Sequence, residues 1–204
     1  DPGFPRDAAA WCNSTGNQLI SKETAGGKSV VVIEKGEPKS CNIVTSCEGK
    51  GKTFIMFSDD LDKALATFVL ANGAAATGQK VTIFFTFWGL NVIKKLHKPN
   101  VEKDIFGKMF GMMLPSSSRK LKLSKMSMGG IGGKMMRYIM NRKGIDSLES
   151  LRQQALENGV EFIACQMSMD VMGVKQEELL DEVTIGGVAT YMERADNANI
   201  NLFI

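Results

Sequence analysis

Thr53-Phe54-Ile55-Met56-Phe57-Ser58-Asp59-Asp60-Leu61 opens a stretch that closes with Val81-Thr82-Ile83-Phe84-Phe85-Thr86-Phe87, and these two runs decide the fold. Thr53–Phe57 has the length and apolar character of a short buried strand. Ser58 can cap a following helix, and Asp59 and Asp60 complement its positive end. Leu61, Ala64, Leu65, Phe68 and Ala71 then recur at helical spacing until Gly78 closes the helix. Val81–Phe87 is a second buried strand.

The same alternation continues toward the C-terminus. Asp146 and Glu149 predict a capping-box-like helix start; Leu148, Leu151 and Ala155 continue its stripe, and Gly159 stops it. Val160–Ala164 reads as a third strand, with Cys165 directly after it. A short helix around Gln176–Leu180 precedes a fourth strand, Glu182–Ile185. Gly186-Gly187 turn into a helix bearing Val188, Tyr191, Met192 and Ala195, and Ile200–Ile204 is the last strand. Strands alternating with helices need right-handed crossovers. The expected fold is therefore α/β, a mostly parallel sheet of about five strands with helices on both faces.

The flanks differ. Residues 1–35 read as a helix near Ala8–Trp11 followed by a strand in Ser29–Lys35, too little to close a core alone. Residues 36–51, with Pro38, Cys41, Cys47, Gly49 and Gly51, read as a linker. The domain is expected over 52–204. Its middle is irregular, with short helices near Leu90–Leu96 and Ile105–Met113, a glycine cluster at Gly129–Gly133, and a helix over Lys134–Lys143.

Composition narrows the chemistry. The chain has 204 residues, 44% of them hydrophobic, and a net charge of +3. No apolar run reaches the 18 or so residues of a membrane span; Lys80 divides the two longest uncharged stretches. Cys12, Cys41, Cys47 and Cys165 form no close pair, and His97 is the only histidine, so no metal site is expected. Sparse, unpaired cysteines suit a reducing cytoplasm. His97 sits among lysines and reads as solvated, without a partner for a Ser-His-Asp arrangement. Gly129–Gly133 fails the phosphate-loop templates, because Met135 stands where the dinucleotide pattern needs glycine and no Gly-Lys-Ser/Thr follows. A lid or hinge fits it better, and no nucleic-acid partner is expected.

Charge is unevenly placed. Between Asp104 and Asp146 there is no acidic residue, while Lys108, Arg119, Lys120, Lys122, Lys125, Lys134, Arg137, Arg142 and Lys143 all fall there. Methionines concentrate in the same interval. Three readings stay open for it: an oligomer interface, a lid over a site, or an amphipathic surface for anionic lipid.

Ligands of open α/β sheets bind outside the carboxyl ends of the strands. Those ends are Ser58-Asp59, Phe87-Trp88, Cys165-Gln166 and Gly186-Gly187, and of these only Cys165 is a strong nucleophile. A strand end opening into a helix favours its thiolate; an inert buried cysteine is the equal alternative. Met167, Met169 and Met172 could form a soft wall for a sulfane sulfur, or simply pack. Asp170 could orient a substrate, or merely cap a helix.

Two resemblances complete the sequence picture. Asp1-Pro2-Gly3-Phe4, Asp7, Trp11-Cys12 and Thr15-Gly16-Asn17 resemble the second half of a TusA/SirA-like domain. The cysteine motif of that family lies in a first half that this sequence lacks, so Cys12 is not its sulfur carrier. Phe57-Ser58-Asp59-Asp60, Phe84–Leu90, Lys125-Met126-Ser127-Met128-Gly129-Gly130 and Cys165–Gly173 resemble the DsrE/DsrF-like sulfur-relay family over about residues 52–204. That resemblance implies a Rossmann/flavodoxin-like DsrE fold and a homo-oligomer. It also implies a cysteine, here Cys165, that carries sulfur as a persulfide or thiosulfonate adduct without cofactor or metal. Ser58, Trp88, Gly129, Met167, Asp170 and Gly186 would line its pocket. TusA-like or rhodanese-like proteins, or small thiols, would be donors and acceptors. The alternative is a non-catalytic module that binds a partner or membrane through the Met-rich basic segment 105–145.

Overall fold

The computed structural model describes Cys12 and residues 17–25, 28–34, 51–97, 99, 101, 103 and 105–204. The chain divides into two compact units, Asp1–Ser46 and Cys47–Ile204. In the first, β1 (Gln18–Ala25) and β2 (Lys28–Glu34) form an antiparallel hairpin that places Leu19 opposite Ile33 and Thr24 opposite Ser29. The valine-rich β2 is the strand expected from sequence. β1 alternates no apolar residues strongly enough to be read, and pairing with β2 creates it. Cys12 is buried. The helix expected near Ala8–Trp11 lies outside the described residues, as do residues 36–50 of the expected linker, Cys41 and Cys47 among them.

The second unit holds one five-stranded sheet. Its strands are β3 (Gly51–Met56), β4 (Val81–Phe85), β5 (Glu161–Cys165), β6 (Thr184–Gly186) and β7 (Ala198–Phe203), in the spatial order β6-β5-β4-β3-β7. All four pairings are parallel. The helices are α1 (Leu61–Ala76), α2 (Ile105–Met113), α3 (Ile131–Arg142), α4 (Leu148–Glu157), α5 (Gln166–Met172) and α6 (Val188–Asp196).

Alternation along each strand sorts the side chains onto two faces. Phe54, Met56, Ile83, Phe85, Phe162 and Ala164 point into the main core with Leu61, Phe68 and Leu148. The Phe68, Phe85 and Phe162 rings lie 5.4–6.4 Å apart, and each such buried side chain contributes roughly 1.5–3 kcal/mol. α1 and α4 pack against each other, joined also by Asn72, whose Nδ2 donates to the Leu151 carbonyl at 2.9 Å. The opposite face carries Phe84, Ile163 and Cys165 under Tyr191 of α6.

Several boundaries shift from the sequence expectation. β4 stops at Phe85, and Phe87–Ile93 winds into a 3-10 turn. Asp60, not Ser58, is the N-cap residue of α1, without a side-chain cap; the Leu61 N–H donates instead to the Lys122 carbonyl at 2.7 Å. Ser147 caps α4 by accepting from the Ser150 N–H, while Glu149 turns away to Arg137 at 2.9 Å and accepts from the Ser118 hydroxyl. α3 begins inside the glycine cluster. Gly129 and Gly130 take positive φ ahead of it, whereas a Cβ on Gly132 would lie 2.1 Å from the Met126 carbonyl oxygen. Those glycines thus include a close-packing contact as well as a turn. Among the described residues no helix is long and apolar enough to cross a membrane.

Candidate functional site

Because the strands are parallel, their carboxyl ends share one edge of the sheet. At that edge Gly186 pairs with Cys165, and β4 and β3 end beside them at Phe85 and Met56, just before Thr86 and Phe57; neighbouring strands lie roughly 4.8 Å apart. Cys165 is the last residue of β5 and the N-cap residue of α5. Gly186 is its cross-strand partner. A Cβ on Gly186 would approach the Ile163 side chain to 2.8 Å, so only glycine lets β6 sit this close to the residues around the thiol.

The thiol itself is enclosed. Cys165 is 2% exposed and packs with Phe84, Ile163 and Tyr191, with Ile55 and Ala195 partly covering the cluster. The sequence leaves an open, reactive sulfur and an inert buried one as equal alternatives at this strand end. The structure places it at that end but beneath α6, because the alternation of β5 turns the side chain toward the face this helix covers. Sequence periodicity had identified Tyr191 only as part of a helical stripe; that it roofs the thiol is visible only in the structure.

The other expected site residues scatter around this centre. Trp88 is part-exposed in the turn that follows β4. That turn folds back over the end of β3, for the Gly89 N–H donates to the Phe57 carbonyl at 2.8 Å. Its first residue, Phe87, has φ +48°, a left-handed conformation that is strained for a bulky side chain. Thr86, just before it, is tied to Ser168 of α5 by a 2.8 Å hydroxyl–hydroxyl hydrogen bond. Ser58 stands at the end of β3, two strands from Cys165; its hydroxyl donates to Asp60 Oδ2 at 2.7 Å.

Met167 and Asp170 are exposed on α5, where Gln166 Nε2 donates to Asp170 Oδ1 at 3.0 Å. Asp170 lines a cleft of about 400 Å³ with Gln166, Met169, Lys175 and Ile185. Met169 belongs to the main core and Ile185 packs against it, whereas the thiol sits in the other apolar cluster. Gly129 lies in the turn before α3, and α3 packs back on Leu121 and Leu123, again main-core residues. Gly186 and Cys165 are thus brought together, Trp88 and Ser58 share their edge, and Gly129 and Asp170 associate with the opposite side of the sheet.

A part-buried polar pair along the same edge was not singled out from sequence as part of a site. Asn91 is fully buried and its Nδ2 donates to Asp59 Oδ2 at 2.9 Å. Burial pushes the Asp59 carboxyl above its ordinary 3.8, against the Asn91 hydrogen bond that favours its charge. Nothing in the spacing of Asp59 and Asn91 reveals this, since the turn over the end of β3 brings them together. Among the described residues no group of histidine, cysteine and carboxylate side chains is arranged to hold a metal ion.

A parallel α/β sheet with one thiol at the carboxyl end of a central strand defines a class of small thiol-bearing domains. Within it, the chain belongs to the DsrE/DsrF/DrsH-like family, whose model matches residues 49–203. It is 44% identical over 155 residues to the uncharacterized protein YrkE of Bacillus subtilis, covering 76% of this chain and 97% of that protein. It is 38% identical over 161 residues to the sulfur carrier protein DsrE2 of Allochromatium vinosum, covering 77% and 99% respectively. Among solved structures, the ychN protein from E. coli aligns with a TM-score of 0.45 and 11% identity over 76% of this chain and 99% of its own.

Proposed function

We propose that the protein is a sulfur carrier in which Cys165 holds sulfane sulfur as a persulfide or a thiosulfonate adduct. One observation carries this: Cys165 is the only cysteine in residues 49–203, the stretch that matches the family, and it ends a central strand. The likeness to a named sulfur carrier supports it.

The chemistry needs only thiols. The Cys165 thiolate attacks the outer sulfur of a donor persulfide; the donor S–S bond breaks, the donor leaves as thiolate, and Cys165–S–SH remains. With tetrathionate, attack on a central sulfur expels thiosulfate and leaves Cys165–S–S–SO₃⁻. An acceptor thiolate then attacks the outer sulfur of the persulfide, its proton travelling with it, and Cys165 departs as thiolate. Two-electron displacement at sulfur balances each step, so no external oxidant is needed.

Enclosure of the sulfur makes access a conformational step. Of the groups around Cys165, Tyr191 and Ala195 belong to α6, which is joined to β6 through Gly187. Lifting that helix opens the thiol, and the apolar wall it leaves excludes water from the bound sulfur. Trp88, Ser58 and Met167 stand around the edge from which a visitor enters, with Asp170 and Gly129 further out. Basic residues of 105–145 draw in anionic donors. Donors and acceptors are TusA-like or rhodanese-like proteins or small thiols, and the carrier works in the cytoplasm as a homo-oligomer. Residues 1–35 derive from a TusA/SirA-like unit joined through 36–51 to the carrier domain, 52–204.

The test is peptide-resolved mass spectrometry after exposure to polysulfide or tetrathionate. The peptide containing Cys165 is expected to gain sulfur, and Cys165→Ala to abolish that gain. A Cys165→Ala chain still modified on the same peptide would remove the assignment.

A further inference from the structure

The outward face of α3 is apolar where a solvent-facing helix should be polar. Ile131, Met135, Tyr138 and Ile139 are all exposed, Ile131 and Tyr138 by about two-thirds. They fall within one half of the helical circumference, with Lys134 and Arg142 between and beside them. The turn ahead of the helix adds Met126 and Met128, exposed by 70% and 68%.

This face is not an unfinished core. The inward side of α3 is already filled: Gly132, Gly133 and Met140 are buried, and Arg137 is paired with Glu149. Among the described residues the core of the domain thus leaves this outer side uncovered.

Charge selects the occupant. No acidic residue occurs from 105 to 145, so Lys134, Arg142 and the neighbouring Lys125 and Lys143 have no counter-charge along that stretch of sequence. A second copy meeting this face symmetrically would set the same cations against themselves. An anionic bilayer surface satisfies both halves of the pattern. Methionine and isoleucine side chains enter the headgroup boundary, tyrosine keeps its hydroxyl in water, and lysine and arginine stems reach lipid phosphates.

We propose that α3 and the turn before it form a peripheral docking surface for anionic lipid, which would hold the domain at a membrane without spanning it. This goes beyond the sulfur chemistry, and its test reads lipid binding without reference to Cys165.

Co-sedimentation of the full chain with sucrose-loaded vesicles tests it. Binding is expected to vesicles containing phosphatidylglycerol, to fall with added salt, and to be weak on phosphatidylcholine alone. Lys134→Gln and Arg142→Gln should each weaken binding about fivefold, and together about 25-fold. Met135→Gln with Tyr138→Ser should weaken it while leaving the far-UV circular dichroism unchanged, because both side chains are exposed. Equal binding to the two vesicle types, binding indifferent to both pairs of variants, or retention on heparin without vesicle binding would each overturn the proposal. The last of these would point to a general polyanion or an acidic protein instead.

Discussion

The hydroxyl of Tyr191 lies 3.3 Å from that of Thr53, both buried, on the sheet face that also holds the Cys165 sulfur. This hydrogen bond and the contact of Tyr191 with the Phe84 ring, centroids 5.2 Å apart, hold α6 over the thiol. Tyr191→Phe removes the hydrogen bond and keeps the roof. It should cost about 1 kcal/mol and leave alkylation of Cys165 slow. Tyr191→Ala opens the roof at a cost of about 3–5 kcal/mol and should speed iodoacetamide labelling of Cys165 in the folded protein. Equal labelling rates in the two variants would show that the thiol is reached by some other path.

Gly89 sits hard against the end of β3. A Cβ there would sit 1.9 Å from the Met56 carbonyl oxygen, against backbone that cannot step aside. Gly89→Ala should destabilise the domain by about 3 kcal/mol or more, with the turn after β4 displaced. Gly187→Ala is the control: φ at Gly187 is −104° and nothing lies within 4 Å of the added carbon. Urea unfolding of both variants checks the pair; similar midpoints would contradict the close approach.

Arg152 of α4 reaches the turn after β4. Its guanidinium is buried and donates to the Val92 carbonyl at 2.7 Å, fastening the turn that carries Trp88 to α4. Burial lowers its pKa below the ordinary guanidinium value. Arg152→Leu leaves that carbonyl unpaired and should cost about 1–3 kcal/mol. The fluorescence of Trp88 should also shift, measured in a Trp11→Phe background so that Trp88 is the only reporter.

Acid should weaken the fold. Hydrogen bonds from Arg194 hold the Glu161 carboxyl below its ordinary 4.5. Burial of Glu149 opposes its charge, but the Arg137 hydrogen bond and charge, with the Ser118 hydroxyl, hold it below 4.5 as well. A carboxylate with a depressed folded pKa contributes stability that is present above its unfolded value and lost as pH falls through the folded one. Asp59 acts in the opposite sense, because burial raises it. Its contribution is present below about 3.8 and is lost as pH rises through the folded value. Asp62 is lowered as well, its partial burial outweighed by the Ser124 hydrogen bonds. With three lowered carboxyls against one raised, the melting temperature should fall below about pH 4.5, and Arg194→Gln should flatten that fall. A melting temperature that rises on acidification would contradict the two ion pairs.

Much of this architecture was legible because parallel strands buried on both faces need near-continuous apolar runs, as Val81–Phe85 and Phe162–Cys165 show. The helical stripes of α1 and α6 were equally plain. The strand β1 was not, nor the early end of β4, where the short helix expected near Leu90–Leu96 begins instead as a 3-10 turn at Phe87. Pairing with β2 imposes the first, and the close approach of Gly89 to Met56 imposes the second, and neither contact leaves a local pattern. In the candidate site, the place of Cys165 at a strand end followed from the order of elements. Its cover by Tyr191, and the separation of Asp170 and Gly129 from it, depend on which side of the sheet each residue faces.

The sequence by itself determined the alternation of strands and helices, the solitary cysteine of the matched region and the absence of acidic residues from 105 to 145. These are properties of residue order and type. Only the tertiary structure decided that the sulfur is roofed, that half-buried Asp59 meets buried Asn91, and that α3 turns Ile131, Met135 and Tyr138 outward while Met140 faces in. Each of these depends on contacts between residues distant in the chain, and the relative energies of such contacts exist only once the layers have packed.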